Sequence, residues 1–219
     1  MNWFTEHDVE QGSPEWLDLR RGKITASRAN KLFATTKAGK WTTARAHTVV
    51  KIAMELLHGK DARVVSGKPV ERGHEYEAQA AGAYEFLKAC ETEICGFLTV
   101  TDHASEGYSP DRLVGDNGLL EIKVPTALEK HVSYLETEEH AVEYEGQLRH
   151  GLYVSGREWI DIASYYPEAP ANLQLAIARR SRADLKLADY PDMLSDVWRE
   201  IIAKRDALQK IQEDIREAA

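Results

Sequence analysis

Apolar residues recur every third or fourth position through several stretches of the chain, and cluster or alternate in shorter ones between them. The first period marks amphipathic helices and the second marks strands. Ser13-Pro14 reads as a helix start, with Ser13 as N-cap and Pro14 at the first helical position. Thr25-Ala26-Ser27 opens a second helix reaching about Phe33, and residues 42–57 form a third, closed by Gly59. A fourth covers residues 70–89, where Tyr76, Ala80, Ala83 and Leu87 fall at helical spacing. The texture then changes. Residues 94–100 and 113–115 read as strands, Asp116-Asn117-Gly118 as a turn, and residues 119–124 as the returning strand. Helices follow over 127–135 and 139–152, then strands over 159–165 and 173–178. A last helix spans about 191–217. Its Leu194, Val197, Trp198, Ile201, Leu208, Ile211 and Ile215 form one stripe, which packs on its own domain or on a partner. The order of elements predicts an α+β fold, with a central, largely antiparallel sheet flanked by helices.

Length and composition narrow this picture. The chain has 219 residues, with 43% hydrophobic and 29% charged, enough for a packed core. Neither a linker nor a repeat divides it, so a single domain over 1–219 is the simpler expectation. Two cysteines, Cys90 and Cys95, cannot build a disulfide framework or a four-cysteine metal site, and they fit a reducing cytoplasm. No apolar run suits a membrane span, and the first residues lack the basic start and apolar stretch of a signal peptide.

The net charge of −8 argues against a surface that binds polyanions everywhere, but the charge is unevenly spread. Nine basic residues lie between Arg20 and Lys51 with no acidic residue among them, which leaves 19 basic against all 36 acidic residues elsewhere. This basic helical segment, 14–57, is either a solvated face or one anion-binding face on an acidic body. A polyanion suits it better than the small substrate of a metal-dependent phosphatase.

The chemistry concentrates in Ser109-Pro110-Asp111 and, beyond the turn, Leu120-Glu121-Ile122-Lys123-Val124. On a strand, Glu121 and Lys123 share one face while Leu120, Ile122 and Val124 point to the other, into the core. The turn folds Asp111 back toward Glu121. Two converging carboxylates form a hard oxygen site suited to Mg²⁺ or Mn²⁺, and a neighbouring lysine can position water or neutralise developing charge. The plainer alternative is a hairpin with a cross-strand ion pair. His74 and the other histidines show no metal-ligand spacing.

This pattern resembles the PD-(D/E)xK nuclease superfamily and, more narrowly, the lambda-exonuclease-type, YqaJ-like viral recombinase nucleases. Several blocks in order carry the resemblance: Trp16 through Ser27, Gly73-His74-Glu75-Tyr76-Glu77-Ala78, Ser109-Pro110-Asp111, Leu120 through Pro125, and Gly146-Gln147-Leu148. The resemblance implies a restriction-endonuclease-like core. It implies that Asp111, Glu121 and the backbone carbonyl of Ile122 bind Mg²⁺, as two ions that Mn²⁺ can replace. Lys123 would activate water, Gln147 would sit near it, and Glu77 would add an acidic group from the preceding helix; an ordinary exposed glutamate and a peripheral glutamine are the plain alternatives. Arg20 would hold a 5′-phosphate, with Thr25, Ser27 and Lys37 completing that pocket, although Ser27 could be only a helix cap. The implied activity is processive 5′-to-3′ digestion of one strand of linear duplex DNA, with preference for 5′-phosphate ends, leaving 3′ single-stranded tails for phage-type recombination. The implied partners are a homotrimeric ring and a single-strand annealing protein in the bacterial host cytoplasm. Rival readings are a site- or structure-specific endonuclease and a non-catalytic DNA-binding module.

Overall fold

The computed structural model describes residues 3–59 and 68–218. Strand β1 (Phe4–His7) precedes α1 (Pro14–Arg20), β2 (Ile24–Thr25), α2 (Ala26–Leu32), α3 (Thr43–His58) and α4 (Lys68–Lys88). Then come β3 (Thr92–Glu93), β4 (Phe97–Val100), β5 (Glu106–Tyr108), β6 (Arg112–Val114) and β7 (Gly118–Lys123). Helices α5 (Leu128–Thr137), α6 (Glu139–Glu143) and α7 (Glu145–Ser155) lead to β8 (Trp159–Tyr165), β9 (Leu175–Ser181) and the long α8 (Tyr190–Glu217).

The elements assemble into an α+β fold with two sheets, where the sequence suggested one. A five-stranded sheet runs β3-β6-β7-β8-β9, and a four-stranded sheet runs β1-β4-β5-β2. In the larger sheet β7 and β8 are parallel and the other neighbours antiparallel, so it is mixed. The order is non-local: β8 pairs with β7 across three intervening helices, which a local reading cannot foresee.

Both faces of the larger sheet are covered. Leu113, Leu119, Ile160 and Ile162 join a core with α2, α3, α7 and α8. Leu120, Ile122, Val124 and Ala163 join a second core against Ala80, Ala81 and Tyr84 of α4. Glu121 therefore does not sit on an open polar face; it is 3% exposed. The stripe expected on α4 is displaced, since Leu87 is 61% exposed and Tyr84 is buried in its stead. A buried network fixes that helix. Tyr84 donates to Asp161 at 2.7 Å, and Arg179 closes the bidentate pair at 2.7 and 2.8 Å while lying over Trp159.

Local signals placed the caps. Ser13 accepts from the Trp16 amide at 3.1 Å, Thr42 caps α3, and Gly59 ends it in the left-handed region. Other boundaries moved. Of the run expected over 94–100 only Phe97–Val100 is strand, as β4, and Ile94 is exposed between it and β3. The helix expected over 139–152 breaks at Tyr144 into α6 and α7, and Leu173 lies in a 3₁₀ turn before β9. The β6–β7 hairpin pairs Val114 with Gly118, so its loop is Gly115-Asp116-Asn117. Gly115, at φ +50°, supplies the left-handed residue, and Gly118 starts the strand. A Cβ on Gly118 would lie 2.2 Å from the Trp159 ring, so only glycine lets β8 pack there.

Candidate active site

The hairpin register creates the site. Arg112 pairs with Leu120 across β6 and β7, which places Asp111, one residue before β6, beside Glu121 and Ile122. Asp111 Oδ2 accepts from the Ile122 amide at 2.6 Å. Lys123 Nζ lies 2.5 Å from Glu121 Oε1, so the alternation along β7 brings the two charges together. From α7, Gln147 Nε2 donates to the same Oε1 at 2.5 Å, while its Oε1 stands 3.5 Å from Lys123 Nζ. Tyr108 of β5 donates to the other Glu121 oxygen at 3.3 Å. The Tyr144 ring, whose centroid is 4.7 Å from Lys123 Nζ, closes the far side. The sequence places Tyr144 beside Gln147 only as part of an apolar face, and it offers no signal for Tyr108.

The electrostatics are those of crowded carboxylates. Burial, then the charge of Glu121, pushes the Asp111 carboxyl well above its usual range, against the opposing pull of Lys123 and the Ile122 amide. Burial alone would lower the Lys123 ammonium, but Glu121 and Asp111 outweigh it and hold it above its ordinary value. A divalent cation would relieve the strain between Asp111 and Glu121. Among the described residues no three His, Cys, Asp or Glu side chains converge on one point. The two carboxylates of Asp111 and Glu121 are hard oxygen donors that fit Mg²⁺, an ion that keeps waters and takes phosphate oxygens for its remaining positions.

Glu77 approaches from α4 and is engaged: Arg112 Nη1 lies 2.5 Å from Glu77 Oε1 and donates to the Asp111 carbonyl at 2.5 Å. Arg112, which carries no signal in the sequence, thus ties the α4 acid to the backbone at Asp111. A cleft of about 380 Å³ opens beside Lys123, lined by Ile122, Lys130, Tyr134 and Tyr144. A larger cavity of about 670 Å³, between α8 and residues 103–106, contains none of the carboxylate cluster.

The residues expected to bind phosphate are less closely gathered. The Arg20 guanidinium lies over the Trp16 ring, 3.9 Å from its centroid. Trp16 Nε1 donates to Ser109 at 2.7 Å, two residues before Asp111, so Arg20 is linked to the carboxylate strand through an indole. Thr25 is buried at the N-cap of α2, and its Oγ1 has no partner among the described residues. Ser27 is exposed within the first turn of α2, so it is not the cap. Lys37 stands apart on an exposed hairpin. The basic segment is also less bare than its sequence: Glu55 is buried against Arg28 at 2.6 Å, Glu200 holds Arg45 at 2.7 Å, and Asp18 pairs with Arg21.

A mixed sheet that delivers Asp, Glu-x-Lys and a helical Gln to one point defines a nuclease core of the PD-(D/E)xK type. Residues 15–158 match the YqaJ-like viral recombinase domain, and the chain belongs to that lambda-exonuclease-type family. Among solved structures it is similar to an alkaline exonuclease, LHK-Exo, from Laribacter hongkongensis, with 28% identity and a TM-score of 0.80 over 93% of this chain and 100% of the other. The same enzyme in complex with dAMP gives 28% identity and 0.81 over the same shares of the two chains. A phage-related exonuclease from Haemophilus somnus 129PT, at 14% identity and 0.64 over 90% and 98%, shares the fold. Comparison with curated protein sequences gives no significant match.

Proposed function

We propose that the protein is a Mg²⁺-dependent 5′-to-3′ exonuclease that digests one strand of linear duplex DNA. The observation that carries this reading is the convergence of Asp111, Glu121, Lys123 and Gln147 within direct hydrogen-bonding reach of one another or of the β7 backbone. Family membership and the similarity to an alkaline exonuclease support it, and the dAMP held by that relative is the kind of mononucleotide such digestion releases.

Asp111, Glu121 and the Ile122 carbonyl would hold Mg²⁺, which when bound polarises the phosphate and stabilises charge on the attacking and leaving oxygens. Lys123 orients the attacking water and offsets charge as water adds to phosphorus and the 3′ oxygen of the terminal nucleotide departs. Gln147 braces Glu121 and Lys123 together. Tyr108 and Tyr144 limit water access around them. Arg20 takes the 5′-phosphate with the forked donors of its guanidinium, assisted by Thr25 and Ser27. A homotrimeric ring that encloses DNA, turning its basic segments inward and its acidic surface outward, would make digestion processive. The 3′ tails would pass to a single-strand annealing protein in a bacterial cytoplasm.

The test is a pair of isosteric or truncating changes. Asp111→Asn and Lys123→Ala should each reduce cleavage of a linear duplex in Mg²⁺ at least about a hundredfold, the scale of a lost electrostatic or proton-handling group. Their melting temperatures should stay near that of the parent. A folded variant that retains full activity would refute this assignment.

A further inference from the structure

Beyond the catalytic cluster, residues 35–41 form a small ordered hairpin with unusual surface chemistry. Thr35 and Trp41 form an antiparallel bridge, and the Thr36 amide and Lys40 carbonyl close the turn at 2.7 Å. The Thr36 hydroxyl accepts from the Lys40 amide at 3.2 Å, and Gly39 takes the left-handed conformation at φ +72°. Lys37 and Lys40 are exposed on it, and no acidic residue lies between positions 19 and 54. Trp41 is 55% exposed, which is uncommon for so large an apolar ring without a ligand.

That indole is held from one side. The Arg45 guanidinium lies 4.2 Å from its ring centroid and is itself buried, donating to the Leu32 carbonyl at 2.5 Å and pairing with Glu200 of α8 at 2.7 Å. Arg45 is thus engaged against one face of the indole, and more than half of Trp41 remains exposed. Trp41 has a rigid base and an exposed surface, flanked by two cations.

The hairpin also borders a groove at Thr35. This groove, of about 410 Å³, is bounded by Asn30, Phe33 and Thr35 on one side and by Glu143, Gly146 and Arg149 on the other. Gly146 precedes Gln147, and a Cβ on it would stand 2.8 Å from Asn30 Cα, so α2 and α7 touch backbone to backbone there. The acids on the groove are paired, Glu143 with Lys130 and Glu145 with Arg149.

We propose that the 35–41 hairpin is a DNA-gripping element: Trp41 stacks on an unpaired base or a deoxyribose face, and Lys37 and Lys40 pair with backbone phosphates. Stacking on an aromatic face is sequence-tolerant, as a nuclease without base preference requires. The lysines contribute a salt-dependent attraction and the indole a salt-independent one. This inference rests on DNA being the substrate.

The experiment measures binding of 5′-phosphorylated blunt and 3′-tailed duplexes by the full-length chain, with Ca²⁺ in place of Mg²⁺, across a salt series. Trp41→Ala should weaken binding about tenfold with an unchanged salt slope, and Trp41→Phe should stay within about threefold of the parent, on the scale of one lost stacking contact. A larger loss on the tailed duplex assigns the contact to an unpaired base, and equal losses assign it to deoxyribose. The double variant Lys37→Ala, Lys40→Ala should lower the log–log salt slope by about two. Parental binding by Trp41→Ala, or equal weakness in the alanine and phenylalanine variants, would overturn the stacking role. An unchanged slope in the double variant would overturn the phosphate contacts. A parent that neither binds nor degrades duplex DNA would instead overturn the nuclease reading, so the two failures are separable.

Discussion

Arg20 shows how one side chain can be positioned by another. Its guanidinium rests on Trp16, whose indole donates to Ser109, and Ser109 begins the segment that ends in Asp111. If this arginine receives the 5′-phosphate, the distance from phosphate to cleavage point is set by that short chain of contacts. Arg20→Ala should reduce the preference for 5′-phosphorylated over 5′-hydroxyl ends by at least about tenfold, the scale of a lost charged hydrogen bond. Overall duplex affinity should change far less. Competition between the two end types measures this, and an unaltered ratio would show that the phosphate is read elsewhere. At this scale the sequence was most legible where residues are neighbours on one strand or one turn. Glu121 and Lys123 could be placed on a common face from alternation alone, and Asp111 could be returned to them by the turn. Glu55 could not be paired with Arg28, nor Arg112 with Glu77, because each pair joins elements whose packing no local period reveals.

Among the elements, α7 links catalysis to the core. Its first turn carries Gln147, and its middle carries His150, wholly buried with Nδ1 2.8 Å from the Tyr190 hydroxyl of α8. Burial pushes the His150 imidazole down to about 4. An unfolded chain binds a proton at this histidine near pH 6.5, whereas the folded chain does so only near pH 4. The unfolded state therefore holds more protons between those values, and stability falls as pH drops through that window. Above the window the residue is neutral in both states and adds no pH dependence. The loss amounts to roughly 3 kcal/mol over the whole window. Urea unfolding at pH 7 and pH 4.5 should show a smaller decline for His150→Gln than for the parent. Identical declines would mean that His150 is not the group responsible. Helix ends were readable from Ser13, Thr42 and Gly59, each of which satisfies or releases the backbone locally. The break at Tyr144 was not, since the residues around it continue a helical pattern while packing turns the chain toward Lys123. The short strand β5 also escaped notice, because three residues are too few to show a period.

For the whole molecule, the sheet order explains why a chain of net charge −8 can still present a site for a polyanion. The two sheets and the crossing of α2 over α7 bring the start of the basic segment, the β6–β7 hairpin and the first turn of α7 into one region. No helix among the described residues is long and apolar enough to cross a membrane. The α+β class was visible from the succession of periods, whereas the second sheet and the parallel β7–β8 pair arise from contacts distant in sequence. The central claim is that this assembly hydrolyses one strand of linear DNA from its 5′ end. It is tested most directly by incubating the protein in Mg²⁺ with linear duplexes labelled at either end, bearing 5′-phosphate or 5′-hydroxyl, beside a covalently closed circle. Loss of the 5′-phosphorylated strand alone, with the circle intact, is the predicted result; nicking of the circle, or no cleavage in Mg²⁺ or Mn²⁺, would contradict it.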